Sequence, residues 1–483
     1  MNRRLVIQIV GKMLFAEAVL MVLPLLVSVW YGERKGILVF SAVAAGLIVV
    51  SLPAVMMKVQ DRSIYAKEGL VIVIMTWVVW SFAGALPFYV GGWIPHFIDA
   101  FFETVSGFTT TGASVLSDVE SLPHGVLFWR CFTHWIGGMG VLLFVMAVVQ
   151  VSENHAIHIM RAELTGPSVG KIVPRGMHTA KILYGIYLFL TVLEIIFLLG
   201  GGMSPFDSVT HAFSTAGTGG FSTKNASLAY YDSAYLDGVV TVFMLLFSIN
   251  FNIFYFCLAR KFLSGWRNSE WKVFLGIVAV ATLLVTGFIY PDYHSLGESF
   301  RYASFQVASC ISTTGFVTAN FDAWSEAAKY VLLLTMIIGG CAGATCGGLK
   351  VIRVQILWKA MVNEAKKMIH PQTVNRLKMD GKSLEDSVIY GALVYLVLML
   401  FLFGVSVFFL ALENKGLETS LTAVIACLNN VGPGFGEVGP VQNYGGLTAL
   451  SKLVLCGDML LGRLEIYPVL MLFTPRIWRK KYM

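Results

Sequence analysis

The chain of 483 residues is 57% hydrophobic and 13% charged, with a formal net charge of +7. Soluble globular proteins carry about 25% charged residues, so this composition excludes that class. The apolar residues also occur in blocks long enough to cross a bilayer, which takes roughly 20 residues. The composition therefore predicts an all-α, multi-pass membrane protein.

Ten apolar blocks follow one another along the chain, and each is predicted to be one membrane span. An even number of spans places both chain ends on the same side of the membrane. The first block follows Met1-Asn2-Arg3-Arg4 but is too long for a signal core, so we interpret it as a retained helix. The blocks are 5–30, 36–57, 69–90, 125–151, 182–202, 238–258, 273–289, 330–346, 388–412 and 447–473.

The positions of the Lys and Arg residues orient these spans. Cytoplasmic loops of membrane proteins carry an excess of Lys and Arg. We therefore expect both termini in the cytoplasm. Orientation in the lipid bilayer accounts for the basic residues, and we do not interpret them as a nucleic-acid-binding patch. Most of the 35 basic residues fall in the stretches 1–12, 58–67, 152–181, 260–272, 350–385 and 475–483, whereas 91–129 contains none.

Four short segments, each between two apolar blocks, share a pattern. Each ends in glycine, preceded at the third and second positions by Ser, Thr or Asn, and the glycines recur about every hundred residues. This period predicts four copies of one unit, made of a span, a short segment, a polar turn and a second span. The segments are 101–112 (FFETVSGFTTTG), 206–217 (FDSVTHAFSTAG), 304–315 (SFQVASCISTTG) and 421–432 (LTAVIACLNNVG).

Such a short segment enters the membrane and leaves by the same side, so its turn is irregular backbone at membrane depth. Irregular backbone is tolerated there only against protein or a water-filled cavity. Four such turns meeting on one axis would form a ring of backbone carbonyls, which can replace the water around a potassium ion. The alternative is that four re-entrant loops merely pack the helix bundle.

Longer motifs accompany the turns, and at these residues the chain resembles the Trk/Ktr/HKT superfamily of potassium transporters, most closely its TrkH-type transmembrane subunits. The resemblance covers nearly the whole chain. The motifs are 128–130 (FWR), 135–140 (WIGGMG), 161–163 (RAE), 339–350 (GGCAGATCGGLK), 430–434 (NVGPG) and 462–465 (GRLE).

The resemblance implies potassium uptake across the bacterial cytoplasmic (inner) membrane through a pseudo-fourfold pore, with potassium as the transported ion and no tightly bound cofactor. It also implies a homodimer and a cytosolic ring of nucleotide-binding regulatory subunits of the TrkA type. The expected units are an extra N-terminal helix pair at 1–67 and pore repeats at 68–152, 181–260, 270–358 and 386–475.

The family's selectivity filter corresponds here to residues 109–113, 214–220, 312–316 and 429–433. The second turn leaves two registers open, because the internal repeat favours Gly217 and the family pattern favours Gly219. Some relatives with serine at the first glycine pass sodium, so Gly112 supports potassium. The candidate filter residues are Thr110, Thr111, Gly112, Thr215, Ala216, Gly217, Gly219, Thr313, Thr314, Gly315, Asn430, Val431 and Gly432.

Two features in the later spans are candidates for a gate. Glycines in the third repeat recur every four residues, which favours either close helix packing or, by the family resemblance, an unwound gating loop. Arg463 lies in the last span, where a charge usually faces a cavity or a partner; it either pairs with Glu465 or Asp458, or repels ions from the pore. The glycines are Gly339, Gly340, Gly343, Gly347 and Gly348.

Two other functional classes deserve comparison with a pore. A proton- or sodium-coupled secondary transporter needs ionisable residues clustered at mid-membrane, and these are sparse in the sequence. An intramembrane enzyme needs paired catalytic groups, but HExxH is absent. The HxxH of His155 and His158 falls at a predicted cytosolic turn without a third ligand nearby. The sequence therefore favours a gated potassium pore over an enzyme.

Overall fold

The computed structural model describes residues 2–59, 66–140, 176–258, 268–370 and 377–472. Within these ranges the chain is helical, apart from one two-stranded hairpin. The predicted all-α membrane class is confirmed. The motif at 161–163 and the C-terminal stretch 473–483 lie outside the described residues.

Three helices precede the repeats: α1 (Arg3–Leu20), α2 (Val22–Trp30) and α3 (Arg34–Met56). The side chain of Asn2 caps α1 by accepting a hydrogen bond from the Leu5 main-chain nitrogen. α1 packs against α3 and against the first helix of the following repeat. A Cβ at Gly11 would collide with Ala54, so small residues allow α1 and α3 to approach closely.

The remaining helices recur four times in one order: a long helix, a short helix, an irregular turn and a second helix. The long helices are α4 (Ala66–Val90), α7 (Gly176–Gly200), α11 (Ser269–Tyr293) and α15 (Asp386–Ala411). The short helices are α5 (Phe97–Phe108), α8 (Pro205–Gly217), α12 (Leu296–Ile311) and α16 (Leu417–Leu428).

The second helix of each repeat is short. These helices are α6 (His124–Gly138), α9 (Ala234–Phe247), α13 (Glu326–Ile338) and α17 (Ala449–Leu464). The chain becomes helical again at α10 (Phe251–Leu258), α14 (Val351–Ile369) and α18 (Ile466–Leu472).

The prediction of uninterrupted spans over 238–258, 330–346 and 447–473 is wrong. α9 and α10 meet at 91°, and among the described residues six helices, or seven with this bent pair, are long and apolar enough to cross a membrane. The other two breaks lie at Gly339 and Glu465, which have φ of 69° and 62°. A right-handed helix cannot continue through such residues, and hydropathy alone does not detect them.

Serine side chains cap the beginnings of two of the four short helices. Ser204 and Ser295 accept hydrogen bonds from main-chain nitrogens in the first turns of α8 and α12. Each short helix also carries an acidic residue in its first turn, where the helix dipole favours negative charge. These residues are Asp99, Asp207, Glu298 and Glu418.

The four repeats form a closed circle. Each short helix packs against the long and second helices of its own repeat and against the second helix of the preceding repeat. The last contact closes the circle, because α17 of repeat four packs against α5 of repeat one. This packing brings the four turns together.

Candidate functional site

Each short helix ends in a three-residue turn with the same backbone conformation. We call these the central turns, residues 110–112, 218–220, 313–315 and 430–432. The first residue has φ of 55° or 56°, and the third is a glycine with φ between 78° and 100°. Glycine adopts positive φ without the steric penalty that other residues meet. The third residues are Gly112, Gly220, Gly315 and Gly432.

The second central turn corrects the sequence alignment. Gly217 is the last residue of α8, with Thr215 and Ala216 inside that helix, so an alignment on Gly217 is three residues out of register. Gly219 occupies the middle position, and Gly220 is the counterpart of Gly112. The shared Gly-Phe dipeptide at 220–221 and 315–316 is the sequence signal that would have indicated this register.

The hydrogen bonds support the corrected register. The nitrogens of the first two residues in each turn donate to carbonyls three and five residues back. In the second turn Thr218 donates to Thr215 at 2.9 Å and Gly219 to Ser214 at 2.8 Å. The first, third and fourth turns make the same two bonds at 2.8–3.2 Å.

The central turns contact one another in a ring. A Cβ added to Gly112 would collide with the carbonyl oxygen of Gly219, in the second turn. The same contact repeats around the circle: Gly220 lies against the carbonyl of Thr314, Gly315 against that of Val431, and Gly432 against that of Thr111. Each glycine therefore gives the carbonyl of the next turn room to approach.

The carbonyls at the first two positions of each turn have no hydrogen-bond donor within the part of the chain that the structure describes. The residues are buried, and buried carbonyls in proteins are almost always paired. Eight oxygens without donors, in four turns that touch one another, can coordinate a cation. They belong to Thr110, Thr111, Thr218, Gly219, Thr313, Thr314, Asn430 and Val431.

Hydrogen bonds from neighbouring elements hold the turns laterally. Tyr444 donates its hydroxyl to the carbonyl of Gly432 at 2.7 Å. The amide of Asn430 donates to the Thr111 hydroxyl at 3.0 Å and to the Met459 carbonyl at 2.9 Å. The fourth turn is therefore fixed to the first turn and to α17.

Ion pairs connect each of three second helices to the short helix of the next repeat. Asp237 of α9 pairs with Arg301 of α12 at 2.7 Å. Lys329 of α13 pairs with Glu418 of α16 at 3.1 Å, and Lys452 of α17 pairs with Asp99 of α5 at 2.6 Å. We call these three pairs the ion-pair belt.

The junction between repeats one and two is joined differently. Arg130 of α6 forms a buried ion pair with Glu103 of its own repeat, at 2.6 Å. It also donates to the Ser222 carbonyl at 3.0 Å and lies 3.5 Å from the centre of the Phe221 ring. The sequence motif contained Arg130, but its partners are more than 25 positions away and were not predicted.

The glycine-rich stretch of the third repeat is not helical, so its four-residue spacing forms no helix face. We call residues 339–350 the glycine loop. Main-chain nitrogens of Leu349 and Lys350 donate to the carbonyls of Ile337 and Ile338, at 3.1 and 2.9 Å, and close the ends of the loop. Gly339, Gly343 and Gly348 have positive φ.

The glycine loop packs against the third and fourth central turns, next to the C-terminal ends of α12 and α16. The Gly347 nitrogen donates to the Thr313 hydroxyl at 2.7 Å, and a Cβ at Gly347 would collide with the Asn429 carbonyl. A Cβ at Gly340 would collide with the Cys346 sulfur. The loop is therefore closely packed and leaves little room for larger side chains.

Arg463 joins three repeats at this level. Its guanidinium donates to the carbonyls of Gly137 and Gly138 at the end of α6, both at 2.6 Å. It also donates to the Thr345 carbonyl in the glycine loop. The side chain is buried, and its hydrogen bonds connect α17 to both repeat one and repeat three.

The two acids considered as partners of Arg463 make other contacts. Glu465 forms an ion pair with Arg353 of α14 at 2.6 Å. Asp458 accepts a hydrogen bond from the Ser406 hydroxyl at 2.8 Å. The contacts of Arg463 to main-chain carbonyls were not predicted, because they join residues more than a hundred positions apart.

Comparisons with known proteins agree with the overall fold. The family model TrkH, described as a cation transport protein, matches residues 36–276 and 271–480. The chain is 35% identical to the Trk system potassium uptake protein TrkH of Salmonella typhimurium, covering 99% of this chain and 100% of that protein. It is 32% identical to the Trk system potassium uptake protein TrkG of Escherichia coli, over 99% of both. The crystal structure of the potassium transporter TrkH from Vibrio parahaemolyticus matches with a TM-score of 0.90 at 34% identity, covering 99% of this chain and 100% of that one.

The register of the second turn is testable with alanine. A Cβ at Gly219 would meet the His134 ring, whereas a Cβ at Gly220 would meet the main chain of the third turn. We expect Gly219→Ala to lower the melting temperature less when His134 is also replaced by alanine. Gly220→Ala should lower the free energy of unfolding by about 1–3 kcal/mol whether or not His134 is replaced. Thermal unfolding in detergent measures both effects, and equal rescue of the two variants would contradict the register.

The ion-pair belt is testable with a double-mutant cycle. Asp237→Asn and Arg301→Gln should show a coupling free energy of about 2 kcal/mol in thermal unfolding, because the Asp237 carboxylate is buried. The exposed pair Lys415 and Glu437 is the control, expected below about 0.5 kcal/mol. Equal coupling in the two cycles would show that the belt pair is no stronger than a surface pair.

Proposed function

The chain belongs to the TrkH family of cation transport proteins, and we propose that it takes up potassium across the bacterial cytoplasmic membrane, as a transporter and not an enzyme. The curated relatives are named as potassium uptake proteins of the Trk system. The ion would pass between the central turns.

One observation carries this proposal: eight buried main-chain carbonyls that receive no donor from the described residues, in four turns that touch in a ring. Carbonyl oxygens replace the hydration shell of potassium in selectivity filters. Two carbonyl positions in four turns would provide two stacked rings of four oxygens. We therefore assign the filter to the central turns, with Thr218, Gly219 and Gly220 in the second turn in place of Thr215, Ala216 and Gly217.

The short helices favour a cation at the same place. Each one ends at its central turn, and the C-terminal end of a helix carries partial negative charge. Four helix ends around one site would lower the free energy of a positive ion there. We propose 68–152, 181–260, 270–358 and 386–475 as the four pore units. We propose 1–67 as an accessory helix pair, in which α1 and α2 together make one candidate span, Arg3–Trp30, and α3 makes the other.

We propose the glycine loop as the gate, held closed in this conformation. The loop packs against the ends of the third and fourth turns, and Arg463 binds it to α6 and α17. The guanidinium would also repel a potassium ion leaving the filter. Opening requires the loop to lose its contacts with Thr313 and Arg463.

The family resemblance also underlies our proposals for assembly. We propose a homodimer whose cytosolic side binds a ring of nucleotide-binding regulatory subunits of the TrkA type. The bias of Lys and Arg supports a cytoplasmic position for 350–385, which includes α14. Lys366 and Lys367 are exposed in the last turn of α14, and are suited to bind an acidic regulator.

Selectivity is the first test of the filter. Gly112→Ser introduces a side chain where φ is 81° and the neighbouring carbonyl leaves no room. We expect the preference for potassium over sodium to fall by about tenfold, or about 1.4 kcal/mol. Rubidium uptake into liposomes containing the purified protein, with sodium and potassium as competitors, measures the preference.

Gly32→Ser is the matched control for this substitution. Gly32 also has positive φ, at 71°, but no atom lies within 4 Å of its added Cβ. This variant should keep the preference for potassium. Unchanged selectivity in Gly112→Ser protein that folds and transports would overturn the assignment of the first turn.

The gate is tested by removing Arg463. Arg463→Ala deletes charge-assisted hydrogen bonds that hold the glycine loop, so we expect rubidium flux without a regulatory partner to rise at least about tenfold. Arg463→Lys keeps the positive charge but loses the planar set of hydrogen-bond donors. It therefore separates electrostatic repulsion of the ion from the hydrogen bonds that hold the loop. A flux that stays at the level of the unmodified protein in Arg463→Ala would rule out this role.

A further inference from the structure

A small β-hairpin follows α14 and is distant in sequence from both the central turns and the glycine loop. Its strands are β1 (Lys378–Met379) and β2 (Lys382–Ser383), with Lys378 opposite Ser383. The turn residues Asp380 and Gly381 have φ of 50° and 80°. Positive φ at both positions is typical of the tight type I′ turn, so the hairpin has a defined conformation.

The hairpin buries one side chain in an apolar cluster that includes a residue of the glycine loop. Met379 is 2% exposed and lies in a cluster with Ala342 of the glycine loop. Ile352 and Ile356 of α14 and Ala392 of α15 complete the cluster. Met379 and the glycine loop therefore share one buried apolar cluster.

Two hydrogen bonds in series also link the hairpin to Ala342. The Asp380 carboxylate accepts a hydrogen bond from the Ser269 nitrogen at 2.9 Å, in the first turn of α11. The next residue, Glu270, accepts one from the Ala342 nitrogen at 2.6 Å. Glu270 is buried, so this bond is shielded from water and holds the loop firmly.

Further bonds tie the hairpin to the helix that follows the glycine loop. The Lys359 amine donates to the Lys378 carbonyl at 3.0 Å, and the Gln355 amide donates to the Ser269 carbonyl at 3.3 Å. The hairpin, the start of α11 and α14 thus form one contact unit beside Ala342.

We propose that this hairpin is the element that couples the cytosolic side of the protein to the glycine loop. Met379 supports Ala342 from its apolar side, and Asp380 positions the dipeptide Ser269-Glu270 that holds the Ala342 nitrogen. A regulatory partner that displaces the hairpin would remove both supports at once. The proposal rests on the proposed gating role of the loop and adds the route by which the loop is controlled.

The experiment is hydrogen exchange of the full-length protein in lipid nanodiscs, followed by mass spectrometry of peptides covering 339–350. Met379→Ala and Asp380→Ala each remove one support, so we expect exchange in the glycine loop to become about tenfold faster. Met379→Leu conserves volume and should exchange like the unmodified protein.

Lys378→Ala is the matched control, because Lys378 is the exposed neighbour of Met379 on the same strand. It should leave loop exchange unchanged. Peptides covering the central turns should keep their protection in every variant, which shows that the fold is intact. Equal loop exchange in Met379→Ala, Asp380→Ala and Lys378→Ala would overturn the proposal.

Rubidium flux measured on the same variants separates this inference from the proposed gate. Faster loop exchange together with higher flux supports both. Faster loop exchange with unchanged flux supports coupling between the hairpin and the loop, but contradicts the gating role. Unchanged loop exchange contradicts the coupling whatever the flux is.

Discussion

A carbonyl oxygen buried inside a membrane protein must find a partner, and the central turns are arranged around oxygens that find none within the described chain. Pairing these carbonyls would require donors from the protein, but the carbonyl at the second position of each turn lies against the glycine of an adjacent turn. The rest of the structure holds the four turns in contact with one another, although carbonyl oxygens of like partial charge repel each other. A dehydrated cation between them would relieve that repulsion, which is why we connect this geometry with potassium transport.

The four repeats hold their central turns in place with different side chains. The backbone of the central turns is nearly identical in all four repeats, whereas their anchors differ from junction to junction. In the ion-pair belt the acid lies on the second helix at one junction and on the short helix at the other two. In the proposed filter the backbone would contact the ion directly and would therefore tolerate little change, while any pair of opposite charges can hold two helices together.

The second helix ends at a similar point in all four repeats. In the third repeat the chain then forms the glycine loop, which packs against the central turns. Glu270, Thr313 and Arg463 hold this loop from three sides. A segment held by a few polar contacts, and not by a continuous helix, can change conformation without disrupting the surrounding core. The proposed gate and its coupling to the hairpin depend on that difference.

The sequence by itself determined the membrane class, the four-part repeat and the position of three of the four glycines in the central turns. Hydropathy and local polar patterns are properties of neighbouring residues, so they can be read along the chain. The register of the second turn had a local signal, the Gly-Phe dipeptide at 220–221, which the repeat alignment did not use. The breaks in the second helices, the partners of Arg130 and Arg463 and the clustering of Met379 with Ala342 were decided only by tertiary structure. Each of these depends on atoms brought together from separate repeats or distant segments, and no local pattern records which distant residue will lie within bonding distance.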